Sequence, residues 1–296
     1  MKCKFCNNEA VVKRDRKNIC KEHFNQYYYN RVKKSLKNTP VRDKKLLIAI
    51  SGGKDSVAIL HALNFLKEKY KFNIEAIFID LGIDDFSKES LEISQNLCEQ
   101  LKITLNIFIL SREYRFKIPE LSKITKKVCS LCGTVKRYIL NKFAWENSFD
   151  FIITGHNMDD EIIFLNQNIL SGSVEYVKRY CYYYTPTLKD KKLVGKIKPQ
   201  FFISEDDNIN YCRVNNIDYV SSACPYSEKS PHKVLEQGID FFNSKMNYSL
   251  SFLQFFLKIN KFLPEKEIDF KFCNQCGFPT TNFETCKFCK ISMEFQ

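Results

Sequence analysis

The chain has 296 residues, 44% hydrophobic and 27% charged. That is ordinary globular usage at a length of about two domains, and it excludes wholesale disorder and fibrous repeats. Charge is uneven: 46 Lys and Arg against 34 Asp and Glu give +12, and residues 1–45 alone hold 14 basic and 4 acidic residues. Basicity confined to one end is the pattern of a module that meets a polyanion, a solvated basic face being the plainer alternative. No run approaches the apolar length of a membrane span. The start, Met1 to Cys6, lacks an apolar segment with a cleavage site, so a cytoplasmic chain is expected.

The 13 cysteines are an odd number, and without a secretion signal they point to metal or chemistry rather than disulfides. All but Cys98, Cys181 and Cys212 fall, with one histidine, into three groups. The three outliers read as small buried apolar side chains.

Residues 1 to about 24 are short, polar and Cys-rich, with too few apolar residues for a core of their own. A helix follows whose stripe of Phe24, Tyr28, Val32 and Leu36 faces inward. Around it Tyr27, Tyr29, Arg31, Lys33, Lys34 and Lys37 interleave rings and cations, which can stack on bases and hold phosphates. Leu46–Ile50 is a strand, Val57–Tyr70 a helix, Ile74–Ile79 a strand, Ser87–Leu101 a helix and Ile103–Leu110 a strand. Cys129-Ser130-Leu131-Cys132-Gly133 precedes a helix at Thr134–Asn147. Phe151–Thr154 is the next strand and Met158–Leu170 the next helix. Strands alternating with helices, with apolar rather than alternating strand runs, predict an α/β fold with a parallel sheet covered on both faces. Cys224-Pro225-Tyr226 falls near the end of a late strand. The helical region from Pro231 to Phe262 carries Phe241, Phe242, Phe252, Phe255 and Phe256, expected to pack against the sheet. Residues 271–296 are again Cys-rich. The implied division is an N-terminal module at 1–40, a catalytic α/β domain at 41–262 and a C-terminal ribbon at 263–296.

The end groups have metal-ligand spacing. Cys3-x-x-Cys6 with Cys20-x-x-His23 makes a Cys₃His set, and Cys273-x-x-Cys276 with Cys286-x-x-Cys289 a Cys₄ set. Two such turns close a tetrahedral site with no open position, the signature of structural zinc.

Between the first strand and its helix lies Ser51-Gly52-Gly53-Lys54-Asp55-Ser56. Two glycines allow a tight turn whose bare N–H groups face an oxyanion, and the helix N-terminus adds positive potential. Lys54 supplies a mobile cation. The spacing is not that of the Walker loop. It resembles the PP-loop of the ATP pyrophosphatase superfamily, whose members cleave ATP between the α and β phosphates and adenylate a substrate oxygen. In that superfamily the stretch matching Phe78-Ile79-Asp80 lies along the adenosine. A second string, Thr154-Gly155-His156-Asn157-Met158-Asp159-Asp160-Glu161, follows a strand. Gly155 permits close backbone approach, and the acids could merely cap the helix. The string also resembles that of a tRNA thiolase subgroup of PP-loop proteins, which implies an acidic Mg²⁺ ligand or proton acceptor, Mg²⁺ taking one or two carboxylates plus phosphate oxygens. Asp55 and Asp160 are the favoured ligands.

Cys129, Cys132 and the distant Cys224 suit an iron–sulfur cubane with one open iron, a persulfide-carrying redox pair, or buried structural thiols. Together, Cys-x-x-Cys-Gly at Cys129, the Gly155–Glu161 string and Ala223-Cys224-Pro225-Tyr226 resemble the TtuA/TtcA group of tRNA 2-thiolation enzymes. That resemblance implies a [4Fe-4S] cluster on Cys129, Cys132 and Cys224, and a nucleotide contact at Lys136. Zinc sites at both ends of a PP-loop core resemble the TtuA branch, which includes the cytosolic wobble-uridine thiolation proteins. It further implies ATP and Mg²⁺, tRNA as substrate, a homodimer, and a sulfur donor that is sulfide, a persulfide carrier or a ubiquitin-like thiocarboxylate protein. Within Lys196–Glu205 the chain departs from the group, with Lys198 where Arg is usual and Gln200 where Leu is usual. The expected function is ATP-dependent 2-thiolation of a tRNA uridine. The rivals are a PP-loop ligase or amidotransferase without sulfur chemistry, and a zinc-stapled RNA-binding scaffold.

Overall fold

The computed structural model describes all residues except 15, 174–175, 178–182, 228–230, 264–269, 283 and 296, so Cys181 lies outside the described residues. A short hairpin, β1 (Val12–Arg14) with β2 (Lys17–Ile19), leads into α1 (Lys21–Leu36). The sheet then begins with β3 (Lys45–Ile50), β4 (Asn73–Asp80), β5 (Thr104–Ile109) and β6 (Phe151–Ile153). It closes with β7 (Tyr184–Thr185) and β8 (Gly195–Ile197) in the order β5-β4-β3-β6-β8-β7. All neighbours are parallel except β7, which runs antiparallel at the edge.

Strand β3 shows why the apolar runs do not alternate. Leu46, Leu47 and Ile48 are all fully buried. Side chains point to opposite faces at period two. Leu46 and Ile48 therefore join the core under α1 and α2 (Lys54–Tyr70), while Leu47 meets Ile77, Ile152 and Val194 on the other face. Both faces are covered, as expected of a parallel sheet.

The covering helices are α2, α3 (Asp84–Leu101), the short α4 (Leu110–Tyr114), α5 (Val128–Glu146), α6 (Met158–Leu170) and α7 (Glu205–Asn215). Outside them lie α8 (Pro231–Lys245) and α9 (Tyr248–Ile259). The C-terminal ribbon is β9 (Lys271–Phe272), β10 (Pro279–Thr280) and α10 (Lys287–Met293). No described helix is long and apolar enough to cross a membrane.

Both Cys-rich ends solve their lack of a core by borrowing one. Phe24, Tyr28, Val32 and Leu36 are buried against α2 and α7, in one cluster with β3, and Tyr28 stacks on Tyr211 at 3.9 Å. At the other end Phe288 stacks on Tyr138 of α5 at 3.8 Å, and Cys273, Cys286 and Cys289 share a core with Val135 and Ile139.

Two expectations are corrected. Helix α5 starts at Val128, so Cys129 and Cys132 lie within its first turns rather than before it. The late aromatics pack not on the sheet but on α6, which stands between α8–α9 and the strands. Phe256 is buried there with Ile162, Leu165, Ile239 and Leu253. Phe241, Phe242 and Phe255 face outward, 62%, 45% and 57% exposed.

Phe288 links the ribbon to the helix that carries Cys129 and Cys132. Phe288→Ala is expected to cost about 3–5 kcal/mol, the usual loss for a buried phenylalanine, read as a lower urea midpoint. An unchanged midpoint would mean that the ribbon stands apart from the α5 core.

Candidate active site

Strand β3 delivers the glycine loop to the N-terminus of α2. Gly52 has φ +73°, and a Cβ there would lie 2.7 Å from the Ser90 carbonyl oxygen, so only glycine fits. Gly53 caps α2 without a side-chain partner; the Ser56 amide turns back to the Gly53 carbonyl at 3.0 Å, and the Lys54 and Asp55 amides open the helix toward an anion. The Ser56 hydroxyl fastens the turn: it donates to the Gly53 carbonyl at 2.9 Å and accepts from the Ser51 amide at 3.1 Å. Ser51 Oγ lies 3.2 Å from it. Ile79 and Asp80 end the neighbouring β4, where Asp80 accepts the Gly82 amide at 2.8 Å.

Gly155 sits directly on this loop: a Cβ there would come 3.1 Å from the Ser56 nitrogen. It brings the string that starts α6 into contact with Asp55. Asp55 Oδ1 accepts from Asn157 Nδ2 at 3.1 Å and from Asn208 Nδ2 at 2.6 Å. Lys54 Nζ lies 3.4 Å from Asp55 Oδ2 and 2.7 Å from Glu205 Oε1. Burial opposes the ammonium charge, but these two carboxylates outweigh it and hold the pKa above its ordinary value. Asp160 both caps and charges the site. Its Oδ2 accepts from the Asn157 amide at 3.0 Å, and the Asp160 amide in turn donates to Asn157 Oδ1 at 3.1 Å. Glu161, fully buried, pairs with Lys198 at 2.8 Å. Asn157, Asn208 and Glu205 had no role in the sequence reading. Asn157 and Glu205 lie inside the two strings it quoted, but only the tertiary fold shows that both turn toward the loop.

The trio of thiols assembles from two places. Cys129 donates its thiol hydrogen to the Tyr226 carbonyl at 2.9 Å. The Val220 amide, four residues before Cys224, donates to the Gly52 carbonyl at 2.9 Å. The stretch between Ile217 and Ser227 thus runs over the loop as coil, and the late strand expected before Cys224 is absent. Cys132 and Cys224 both border one core, and Cys129 is exposed. Burial and then the Cys224 charge raise the Cys129 thiol, while Lys136 pulls it down. Cys132 is raised by burial, with Lys136 again opposing and Cys224 and Cys129 adding to the rise. Lys136 is exposed on α5, one turn beyond Cys132. Lys196 on β8 is pushed down to about 8 by burial and then by Arg137 and Lys198.

Among the described residues, only the two end groups bring all their donor atoms within 4.8 Å of one another: Cys3, Cys6, Cys20 and His23, and Cys273, Cys276, Cys286 and Cys289. Cys6 and Cys20 sulfurs lie 3.7 Å apart, and those of Cys276 and Cys286 3.9 Å apart. A tetrahedral ion with bonds of about 2.3 Å to sulfur needs an edge of about 3.8 Å. His23 Nδ1 lies 3.3 Å from Cys20 Sγ and 3.8 Å from Cys3 Sγ. Both end groups fit a single thiophilic ion. Cys129, Cys132 and Cys224 do not bring all three sulfurs within 4.8 Å of one another.

A family model described as the PP-loop domain matches residues 23–224, from the histidine of the first end group to the third thiol of the trio. The chain is 36% identical to the tRNA-5-methyluridine(54) 2-sulfurtransferase of Thermotoga maritima, over 100% of this chain and 97% of the relative. It is 34% identical to the protein of that name from Pyrococcus horikoshii, over 98% and 93%. The chain belongs to the PP-loop tRNA 2-thiolation sulfurtransferases. This sulfurtransferase also superposes on the U34-tRNA thiolase NcsA from Methanococcus maripaludis, solved with its [4Fe-4S] cluster. The TM-score is 0.79 at 26% identity, covering 99% of this chain and 95% of that one.

Burial, and then the Asp55 charge, push the Asp160 carboxyl up to about 7. An unfolded aspartate titrates near 4, at about 3.9, so between those values the folded state holds more protons and stability falls as pH rises. Without Mg²⁺, Asp160→Asn is expected to raise the thermal midpoint more at about pH 8 than at about pH 4. An equal effect at both would contradict the shift.

Proposed function

We propose that this sulfurtransferase carries out ATP-dependent 2-thiolation of a tRNA uridine in the cytoplasm. One observation carries the reading. The segment bearing Cys224 is hydrogen-bonded to the nucleotide loop at Gly52 and to Cys129 at Tyr226, so thiols and loop share one cleft. Such a cleft lies beyond the carboxyl ends of parallel strands, where ligands bind in open α/β sheets.

In this reading the triphosphate lies on Ser51, Gly52, Gly53, Lys54 and Ser56. Ile79 and Asp80 flank the adenosine, and Gly155, packed on the loop, and Lys136 contact the nucleotide. Lys54 exchanges Glu205 for a phosphate oxygen. Asp55 and Asp160 would hold Mg²⁺, which would supply positive charge to the departing pyrophosphate. The uridine O2 attacks the α-phosphorus and pyrophosphate leaves, with loop amides and Lys54 stabilising the charge that develops. Cys129, Cys132 and Cys224 would hold a [4Fe-4S] cluster, which would supply an open iron as a seat for sulfur. Nucleophilic sulfur then attacks C2 of the adenylated uridine and AMP leaves. Catalysis is mainly positioning, since no side chain need bond to the substrate.

The tRNA backbone meets the basic N-terminal module. Lys2, Lys4, Arg16, Lys17 and Asn18 line a cavity of about 380 Å³ there. Arg31, Lys33 and Lys34 continue the positive surface along α1. Structural zinc sits in each end group. The sulfur donor is sulfide, a persulfide carrier or a ubiquitin-like thiocarboxylate protein, and the working unit is a homodimer.

Elemental analysis is expected to find zinc at both ends, with Cys273→Ser losing one ion and retaining the other; no loss would place the zinc elsewhere. For the reaction, anaerobic protein is given MgATP, unmodified tRNA and sulfide, and both pyrophosphate and thiouridine are measured. Wild type is expected to make both. Cys129→Ala is expected to keep nucleotide binding and lose thiouridine by at least about a thousandfold, a loss of roughly 4 kcal/mol in barrier lowering. Undiminished thiolation by Cys129→Ala would overturn the reading.

A further inference from the structure

Behind the nucleotide loop is a polar cluster closed off from solvent. Tyr28 on α1, Gln200 in the turn after β8 and Asn208 on α7 are all fully buried. The Tyr28 hydroxyl donates to Asn208 Oδ1 at 2.6 Å, and Asn208 Nδ2 donates to Asp55 Oδ1 at 2.6 Å. Gln200 Nε2 stands at the centre, 3.0 Å from the Asp55 carbonyl oxygen, 2.9 Å from Asn208 Oδ1 and 3.0 Å from the Tyr28 hydroxyl. Every route runs from α1 to Asp55, through both its carboxylate and its backbone.

Gln200 bears a cost in this position: its Oε1 is buried with no hydrogen-bond partner. A buried unsatisfied amide oxygen destabilises a fold, and an apolar residue of similar size would avoid the loss. A residue that weakens the core while its donors grip the nucleotide loop is the pattern of stability given up at a working site.

We propose that Tyr28, Gln200 and Asn208 form a positioning relay that aims the Asp55 carboxylate for a Mg-nucleotide, tying the loop to the helix that grows out of the first metal module. The tie is short. Cys20 caps α1, His23 lies in its first turn, and Tyr28 follows five residues later. The ring of Tyr28 is clamped on Tyr211, so its hydroxyl has little freedom to wander. The inference rests on the proposed role of Asp55 as a Mg²⁺ carboxylate.

The test uses the full metal-loaded chain and a non-hydrolysable ATP analogue. Its affinity is measured with Mg²⁺ and in EDTA, beside the thermal midpoint. Gln200→Leu is expected to keep or raise the midpoint while weakening Mg-dependent binding about five- to tenfold, the scale of one hydrogen bond. Binding in EDTA stays unchanged. Tyr28→Phe, which retains the stacked ring, gives the same split, and the double variant loses less than the product of the two because they share one path. Mg-dependent affinity unchanged in both variants, or an equal fall with and without Mg²⁺, overturns the relay. Asp55→Asn separates the two ideas, since it must abolish the gain in affinity from Mg²⁺. If it does and Gln200→Leu and Tyr28→Phe do not weaken binding, the relay alone is wrong; if it does not, the reading of Asp55 fails and the relay with it.

Discussion

The site depends on where one stretch of coil is tied down. Between Ile217 and Ser227 the chain has no ladder partners, yet Val220 bonds to the Gly52 carbonyl and Tyr226 accepts from Cys129. Each bond is ordinary in strength, about 1 kcal/mol net. Their effect is geometric: they bring a cysteine some ninety residues downstream to the start of α5 and across the mouth of the loop. Gly52 can take part because its positive φ and its close approach to Ser90 leave the carbonyl facing that segment. Loop, thiols and coil are therefore one construction, in which shifting any part moves the other two.

The electrostatics of the cleft show a site poised for exchange. Lys54 is neutralised by Asp55 and Glu205, so the loop cation is occupied but not buried beyond reach. Asp160 serves as a helix cap and as a carboxyl held near neutrality, two roles often treated as alternatives. Incoming phosphate and a divalent ion can take over these pairings one for one. Around the thiols, Lys136 offsets the cost of ionising Cys129 and Cys132.

Much of this was legible in the sequence. Continuous apolar runs identify the strands, the helix expected at Met158–Leu170 has those same bounds as α6, and the Phe24–Leu36 stripe marks the buried face of α1. The glycine loop and both end groups are local patterns, readable because their chemistry is set by spacing. What failed is what depends on neighbours. Cys-Ser-Leu-Cys-Gly reads as a loop, yet Val128, Val135 and Ile139 are buried on one side of α5, and packing extends the helix back through it. The stretch before Cys224 has the apolar residues of a strand, but β5 and β7 already form the sheet edges. The late phenylalanines found α6 in place of the sheet. Tyr28 and Gln200 are 172 residues apart, and no periodicity reports such a contact.

The central claim is that Cys129, Cys132 and Cys224 jointly hold an inorganic cluster beside the nucleotide loop. The most direct measurement is anaerobic purification with iron, sulfide and zinc determined together, and an absorption spectrum recorded with and without Cys224→Ala. Expected are iron and sulfide in the equal amounts of a cubane, a broad visible band, and loss of both in the variant while zinc is retained. Zinc alone in the wild-type protein, or iron and sulfide undiminished without Cys224, would contradict it.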